Sequence, residues 1–122
     1  MDKLRRIAIV DDDSDVRIAL MRLLSASDFA PESFESGAEF LKSLADQPPD
    51  CVVLDLNMPG LSGFEIHQRL AQHYPGVGVV MITGYDRIEC QRDALALGAS
   101  AFLLKPVDEE VLLLAIEKAL RR

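Results

Sequence analysis

Short apolar runs alternate with helix-period patterns along the whole chain, and this alternation restricts the fold more than any other feature of the sequence. The clearest run is Cys51-Val52-Val53-Leu54-Asp55-Leu56. It is too short for a helix, and its apolar side chains fall on both faces, which predicts a central strand of a parallel sheet covered on both sides. Ile7-Ala8-Ile9-Val10 is a second run, ending abruptly at Asp11-Asp12-Asp13. Residues 77–83 and 101–104 supply two more. Residues 29–34 are weaker and carry Pro31, which predicts a short strand at the sheet edge.

Helical spacing fills the intervals. Val16, Ala19, Leu20, Leu23 and Leu24 recur at that spacing, with Asp13 or Ser14 placed to cap the N-terminus. Phe40, Leu41, Leu44 and Ala45 mark a second helix, stopped by Pro48-Pro49. A third runs through Phe64, Ile66, Leu70 and Ala71 to Tyr74-Pro75-Gly76, and a fourth from Arg87 to Leu97, closed by Gly98. Asp108 is placed to cap a last helix running from about Val111, or slightly earlier, to Leu120. Such β-α units in series predict a doubly wound parallel sheet with helices on both faces, joined by right-handed crossovers. No repeat, linker or low-complexity tract interrupts the pattern, so residues 1–122 are expected to form a single domain.

Composition narrows the partners. A formal net charge of -7 argues against direct nucleic-acid binding, which needs Lys and Arg against phosphates, and against an anionic membrane surface. No apolar stretch reaches membrane-spanning length, and the apolar run near the N-terminus is too brief for a signal peptide. Cys51 and Cys90 lack CxxC spacing and read as buried, reduced thiols. The expected compartment is the cytoplasm.

In open α/β sheets, ligands sit beyond the carboxyl ends of the strands. The first strand delivers Asp11 and Asp12 there, and the third Asp55 followed by Asn57. The fourth delivers Thr83 and Gly84, and the fifth Lys105 and Pro106. Carboxylates brought together repel one another and favour a hard divalent cation; Mg2+ suits a few carboxylates plus a phosphoryl oxygen. A carboxylate is also a nucleophile toward phosphorus, and a cation, an amine and a hydroxyl are suited to the phosphoryl oxygens.

The stretches Ile9-Val10-Asp11-Asp12, Leu54-Asp55-Leu56-Asn57-Met58-Pro59-Gly60, Ile82-Thr83-Gly84 and Ala101-Phe102-Leu103-Leu104-Lys105-Pro106 together resemble the receiver domains of two-component response regulators, over essentially the whole chain. The resemblance implies a flavodoxin-like (βα)5 fold, a three-layer α/β/α sandwich with strand order 2-1-3-4-5. It implies Asp55 as phosphoacceptor, Asp12 as direct Mg2+ ligand, Asp11 acting chiefly through a bound water, and the Asn57 carbonyl completing the protein ligands. Lys105 would hold one phosphoryl oxygen and Thr83 would close on another. Phe102 matches the aromatic switch position, with no hydroxyl to offer a partner, and Lys105-Pro106 matches a cis peptide. The donor would be a sensor histidine kinase, and the signal would pass to an output domain or downstream protein.

Blander readings apply elsewhere. Asp13 reads as a helix cap favoured by the macrodipole. His67 and His73 read as surface residues of the third helix. Met58, Met81, Phe64 and Phe40 read as core or loop packing, and Gly60 and Gly63 as turn geometry. The last helix carries Val111, Leu112, Leu113, Leu114 and Ile116, more apolar positions than one buried stripe uses. Leu113 or Leu114 is therefore expected to face outward near the fourth helix and fifth strand, on a face suited to a homodimer or a docked partner.

Two rival functions remain. Asp55-Leu56-Asn57 superficially resembles the Asp-x-Asp of haloacid-dehalogenase-type hydrolases, but Asn57 replaces the acid/base carboxylate and the chain lacks length for a cap domain. A pseudo-receiver that only docks partners is opposed by the intact set of Asp11, Asp12, Asp55, Thr83 and Lys105. No effector domain is expected within this chain, which reads as a stand-alone receiver or, by its Thr83-Gly84 motif, as the N-terminal piece of a longer regulator.

Overall fold

Five parallel strands form one sheet in the order β2-β1-β3-β4-β5. They are β1 (Arg6–Val10), β2 (Ala30–Phe34), β3 (Cys51–Asp55), β4 (Gly78–Thr83) and β5 (Ala101–Leu104). The helices are α1 (Ser14–Ala26), α2 (Gly37–Ser43), α3 (Gly63–His73), α4 (Ile88–Ala96) and α5 (Glu109–Leu120). The computed structural model describes residues 4–84, 88–96 and 98–121, with backbone alone for 88–91. Arg87 and Leu97, expected at the ends of the fourth helix, lie outside the described residues, as does the side chain of Cys90.

The central strands are those with the longest apolar runs. Every residue of β3 and β4 is buried. Pro31 sits in β2, at the edge. The Ala30 N–H donates to the Arg5 carbonyl, so strand alternation turns position 31 toward the open edge, where a missing N–H costs no ladder bond.

Side chains alternate between two cores. Ala8, Val10, Val52, Leu54, Val79 and Met81 face Phe40, Ile66, Leu70 and Ala94 of α2, α3 and α4. Ile7, Ile9, Val53, Val80 and Ile82 face Leu20 and Leu24 of α1 and Leu112 and Ile116 of α5, with Cys51 buried among them. The outcome is three layers, as the alternation of β-type and helical segments predicts.

Helix starts follow the sequence closely. Asp13, not Ser14, caps α1 by accepting the Asp15 N–H at 2.9 Å. Ser36 caps α2, Ser62 and Glu65 form a capping box on α3, and Asp108 caps α5 by accepting the Val111 N–H at 3.0 Å. α2 ends at Ser43, short of the apolar pattern that runs to Ala45, because its last turn tightens into i to i+3 bonds from Leu44 and Ala45.

One expectation is overturned. His67 is not a surface residue: it is 2% exposed, whereas His73 is exposed. The buried face of α3 is broad, taking in Ile66, His67 and Leu70. His67 lines a cavity of about 100 Å³ shared with Tyr74, Val77, Val79 and Gly98. Leu114 of α5 is 66% exposed, while Leu113 packs partly against the core.

Candidate functional site

The carboxyl edge of the sheet gathers the polar residues that the strands deliver. Asp11, just beyond β1, is fully buried. Its Oδ1 accepts the Asp13 N–H at 2.9 Å, and its backbone carbonyl accepts from Arg17 Nη1 at 2.7 Å. Asp12 is exposed. Asp55 ends β3 and is 2% exposed, with Oδ1 accepting the Asn57 N–H at 3.2 Å. Thr83 ends β4, fully buried, and its Oγ1 accepts from Asn57 Nδ2 at 2.6 Å.

Lys105 follows β5, tied in by a bond from its backbone N–H to the Thr83 carbonyl at 2.7 Å. Its Nζ lies 2.9 Å from Asp11 Oδ2 and 3.5 Å from Asp55 Oδ2. The Lys105-Pro106 peptide bond is cis. Phe102, half-buried on β5, pairs in register with Met81 and packs against the core on the α2–α4 face.

The loop after β3 owes its path to two glycines. Gly60 has φ +81°, the left-handed region that disfavours side chains. Gly63 opens α3 so close to the strand that a Cβ would lie 2.8 Å from both the Asp55 carbonyl oxygen and Leu56 Cα.

Comparison with known proteins decides the family. Residues 7–117 match the model of the response regulator receiver domain. The chain belongs to that family. The receiver domain is 33% identical over 112 residues to the DNA-binding transcriptional regulator NtrC of Escherichia coli K12, covering 92% of this chain and 24% of that protein. It is 34% identical over 116 residues to the transcriptional regulatory protein FixJ of Azorhizobium caulinodans, covering 95% of this chain and 55% of FixJ. The chain thus spans between a quarter and about half the length of these relatives. A CheY-like receiver domain protein from Methanospirillum hungatei superposes with a TM-score of 0.90 at 29% identity, covering 97% of this chain and 94% of that one. Receiver domains are regulatory modules whose function is phosphorylation on an aspartate.

Charge in the receiver domain's site is unevenly balanced. Loss of hydration on burial, the largest influence, raises the Asp55 carboxyl from 3.8 to about 6. The Asn57 N–H and the Lys105 ammonium pull it down, and the Asp11 charge pushes it up. Burial alone would lower Lys105, but hydrogen bonding and Coulombic attraction from Asp11 and Asp55 outweigh it and hold the ammonium above its ordinary value.

The donor set fits a hard cation. One oxygen each from Asp11, Asp12 and Asp55 lie within 4.8 Å of one another. Asp11 Oδ2 is buried, with the Lys105 ammonium 2.9 Å away. An ionised carboxylate has more lone pairs than this one ammonium engages, which leaves the oxygen able to serve a further cation.

Two features had escaped the sequence reading. Arg17 holds the Asp11 carbonyl from α1, and its only sequence signal is a position one turn past the cap at Asp13. The Asn57 side chain reaches Thr83 across β3 and β4, and no spacing announces it.

Proposed function

We propose that Asp55 is the phosphoacceptor of this receiver domain. The observation that carries the reading is its setting: a buried carboxylate ending the central strand, beside an ammonium and two further carboxylates. An Asp55 oxygen attacks the phosphorus of a phosphohistidine on a sensor histidine kinase. A P–O bond forms, the P–N bond breaks, and its electron pair stays on the histidine nitrogen, which takes up a proton. Lys105 neutralises one phosphoryl oxygen, and the Thr83 hydroxyl donates to another. Asp12, Asp11, Asp55 and the Asn57 carbonyl would hold Mg2+, which supplies charge neutralisation for the transferring group.

Thr83 and Phe102 form the switch that relays modification of Asp55. The chain acts as a regulatory module that assists only its own phosphorylation and dephosphorylation. The residues form one receiver domain, working in the cytoplasm; no helix among the described residues is long and apolar enough to cross a membrane. Its target is an output domain or a downstream protein, and the relatives that regulate transcription favour the first. Leu104 on β5, Val111 and Leu114 on α5 and Leu95 on α4 are exposed apolar residues, which supports a homodimer through the α4–β5–α5 face.

Intact mass after incubation with acetyl phosphate and Mg2+ tests the phosphoacceptor. One phosphoryl adduct is expected on the wild type, lost in Asp55→Asn and without Mg2+. A wild type that takes no phosphoryl group from small donors or from a phosphorylated kinase would favour a docking-only module.

A further inference from the structure

Arg17 reaches the acid-bearing turn after β1 at two points. Its backbone N–H donates to the Asp13 carbonyl at 3.1 Å, an ordinary first-turn bond of α1, while its side-chain Nη1 donates to the Asp11 carbonyl at 2.7 Å. The second bond is short and charge-assisted. Helical side chains tilt toward the N-terminus, which lets a guanidinium one turn into α1 reach back past the Asp13 cap. The paired register of β1 with β2 ends at Val10. Asp11 adds one bond more, from its N–H to the Phe34 carbonyl at 3.2 Å, and the chain then leaves the sheet. Arg17 thus holds the peptide group between Asp11 and Asp12 just where the ladder runs out.

The two aspartates are placed by different means. The Asp11 carboxylate is buried, with Oδ1 accepting the Asp13 N–H at 2.9 Å and Oδ2 lying 2.9 Å from the Lys105 ammonium. Asp12 is exposed, so the backbone that carries it, rather than packing, sets where its carboxylate lies. That carboxylate still brings an oxygen within 4.8 Å of those of Asp11 and Asp55.

We infer that Arg17 is a positioning residue for the cation site: by holding the Asp11 carbonyl it fixes the peptide on which Asp12 is built, and so matches the three carboxylates to Mg2+ rather than to a larger dication. The inference rests on the reading of Asp11, Asp12 and Asp55 as cation ligands. Mg2+ demands near-octahedral oxygens at about 2.0–2.1 Å, whereas Ca2+ accepts looser arrangements at about 2.3–2.6 Å. A turn free to shift by the difference between those lengths loses Mg2+ affinity and keeps most of its Ca2+ affinity. Charge alone would act with the opposite sign. A guanidinium repels both dications, and its removal would strengthen both alike.

Titration calorimetry of the full chain with Mg2+ and, separately, with Ca2+ reads the difference. Arg17→Ala should weaken Mg2+ binding roughly tenfold, the scale on which partners behind metal ligands act. Ca2+ binding should change by less than about threefold. Arg17→Lys keeps the charge but not the guanidinium fork, and should fall short of wild type for Mg2+ in the same selective way. Tighter binding of both ions by Arg17→Ala would mean that only charge matters, and an equal loss of both would mean general loosening. Either result, or no change, would overturn the inference.

A second readout needs no metal and uses the milder variant. The Asp12 amide shares its peptide group with the Asp11 carbonyl, so its 15N resonance should move in metal-free Arg17→Lys; an unmoved resonance would sink the proposal. Asp12→Asn separates the two readings. If it leaves Mg2+ affinity intact, the ligand reading fails and the inference with it, whereas a loss there beside an unchanged Mg2+ to Ca2+ preference in Arg17→Ala would remove the inference alone.

Discussion

The Nζ of Lys105 lies 3.5 Å from Oδ2 of Asp55, the buried carboxylate that closes the central strand. The pair is not symmetric, since the ammonium sits nearer to Asp11, at 2.9 Å. Asp55 is thus stabilised too weakly to offset its burial, and its carboxyl remains raised to about 6.

A raised carboxyl makes Asp55 a cost to the fold at neutral pH. As pH climbs past 3.8 the unfolded chain ionises first, while the folded protein keeps this proton until about 6. The folded state therefore binds more protons across that window, and stability falls as pH rises through it. Asp55→Asn should stabilise the metal-free protein by on the order of 2 kcal/mol at pH 7.5, with most of the gain gone by pH 4.5. Urea unfolding in the presence of a chelator checks this; equal gains at both pH values would contradict it.

Lys105→Met removes the cation that lowers the Asp55 carboxyl, leaving Asp11 and Asp55 to repel each other. The Asp55 titration midpoint, followed by carboxyl NMR, should rise above about 6. Stability at pH 8 should fall by about 2 kcal/mol, a value reduced for the partial exposure of the lysine. A midpoint that stays put would show that the ammonium does not act on Asp55.

Gly63→Ala would drive a Cβ to 2.8 Å from two backbone atoms, Asp55 O and Leu56 Cα, neither of which can swing away. A loss of about 2 kcal/mol is expected, with slower phosphoryl uptake because the end of β3 must shift. Gly76→Ala is the control, since a Cβ there meets nothing within 4 Å. Equal stability of the two variants in urea would refute the close approach at Gly63.

Leu114 is 66% exposed, so Leu114→Lys should change unfolding stability by less than about 0.5 kcal/mol. If the α5 face self-associates, the same substitution should abolish the dimer seen by sedimentation with beryllofluoride and Mg2+. A dimer that survives Leu114→Lys would remove this face from consideration.

Much of this architecture is legible in one dimension. The fully apolar runs at Cys51–Asp55 and Gly78–Thr83 are the fully buried strands, and Pro31 marks the edge strand β2. The caps at Asp13 and Asp108 act locally, through bonds to residues two and three positions ahead, and local chemistry is what a sequence writes most plainly. The polar residues at the strand ends were also legible, because parallel topology sends every carboxyl end to the same edge.

What the sequence by itself determined is the series of strands and helices and which polar residues reach the carboxyl edge. Periodicity encodes these, since it depends only on the geometry of each element. Tertiary structure alone decided that His67 is buried, that Lys105 sits nearer Asp11 than Asp55, and that Asn57 bonds Thr83. Those outcomes depend on how loops fold back and how far neighbouring elements close over one another. Residues 26 apart meet at 2.6 Å only through that three-dimensional closure, and no local pattern carries it.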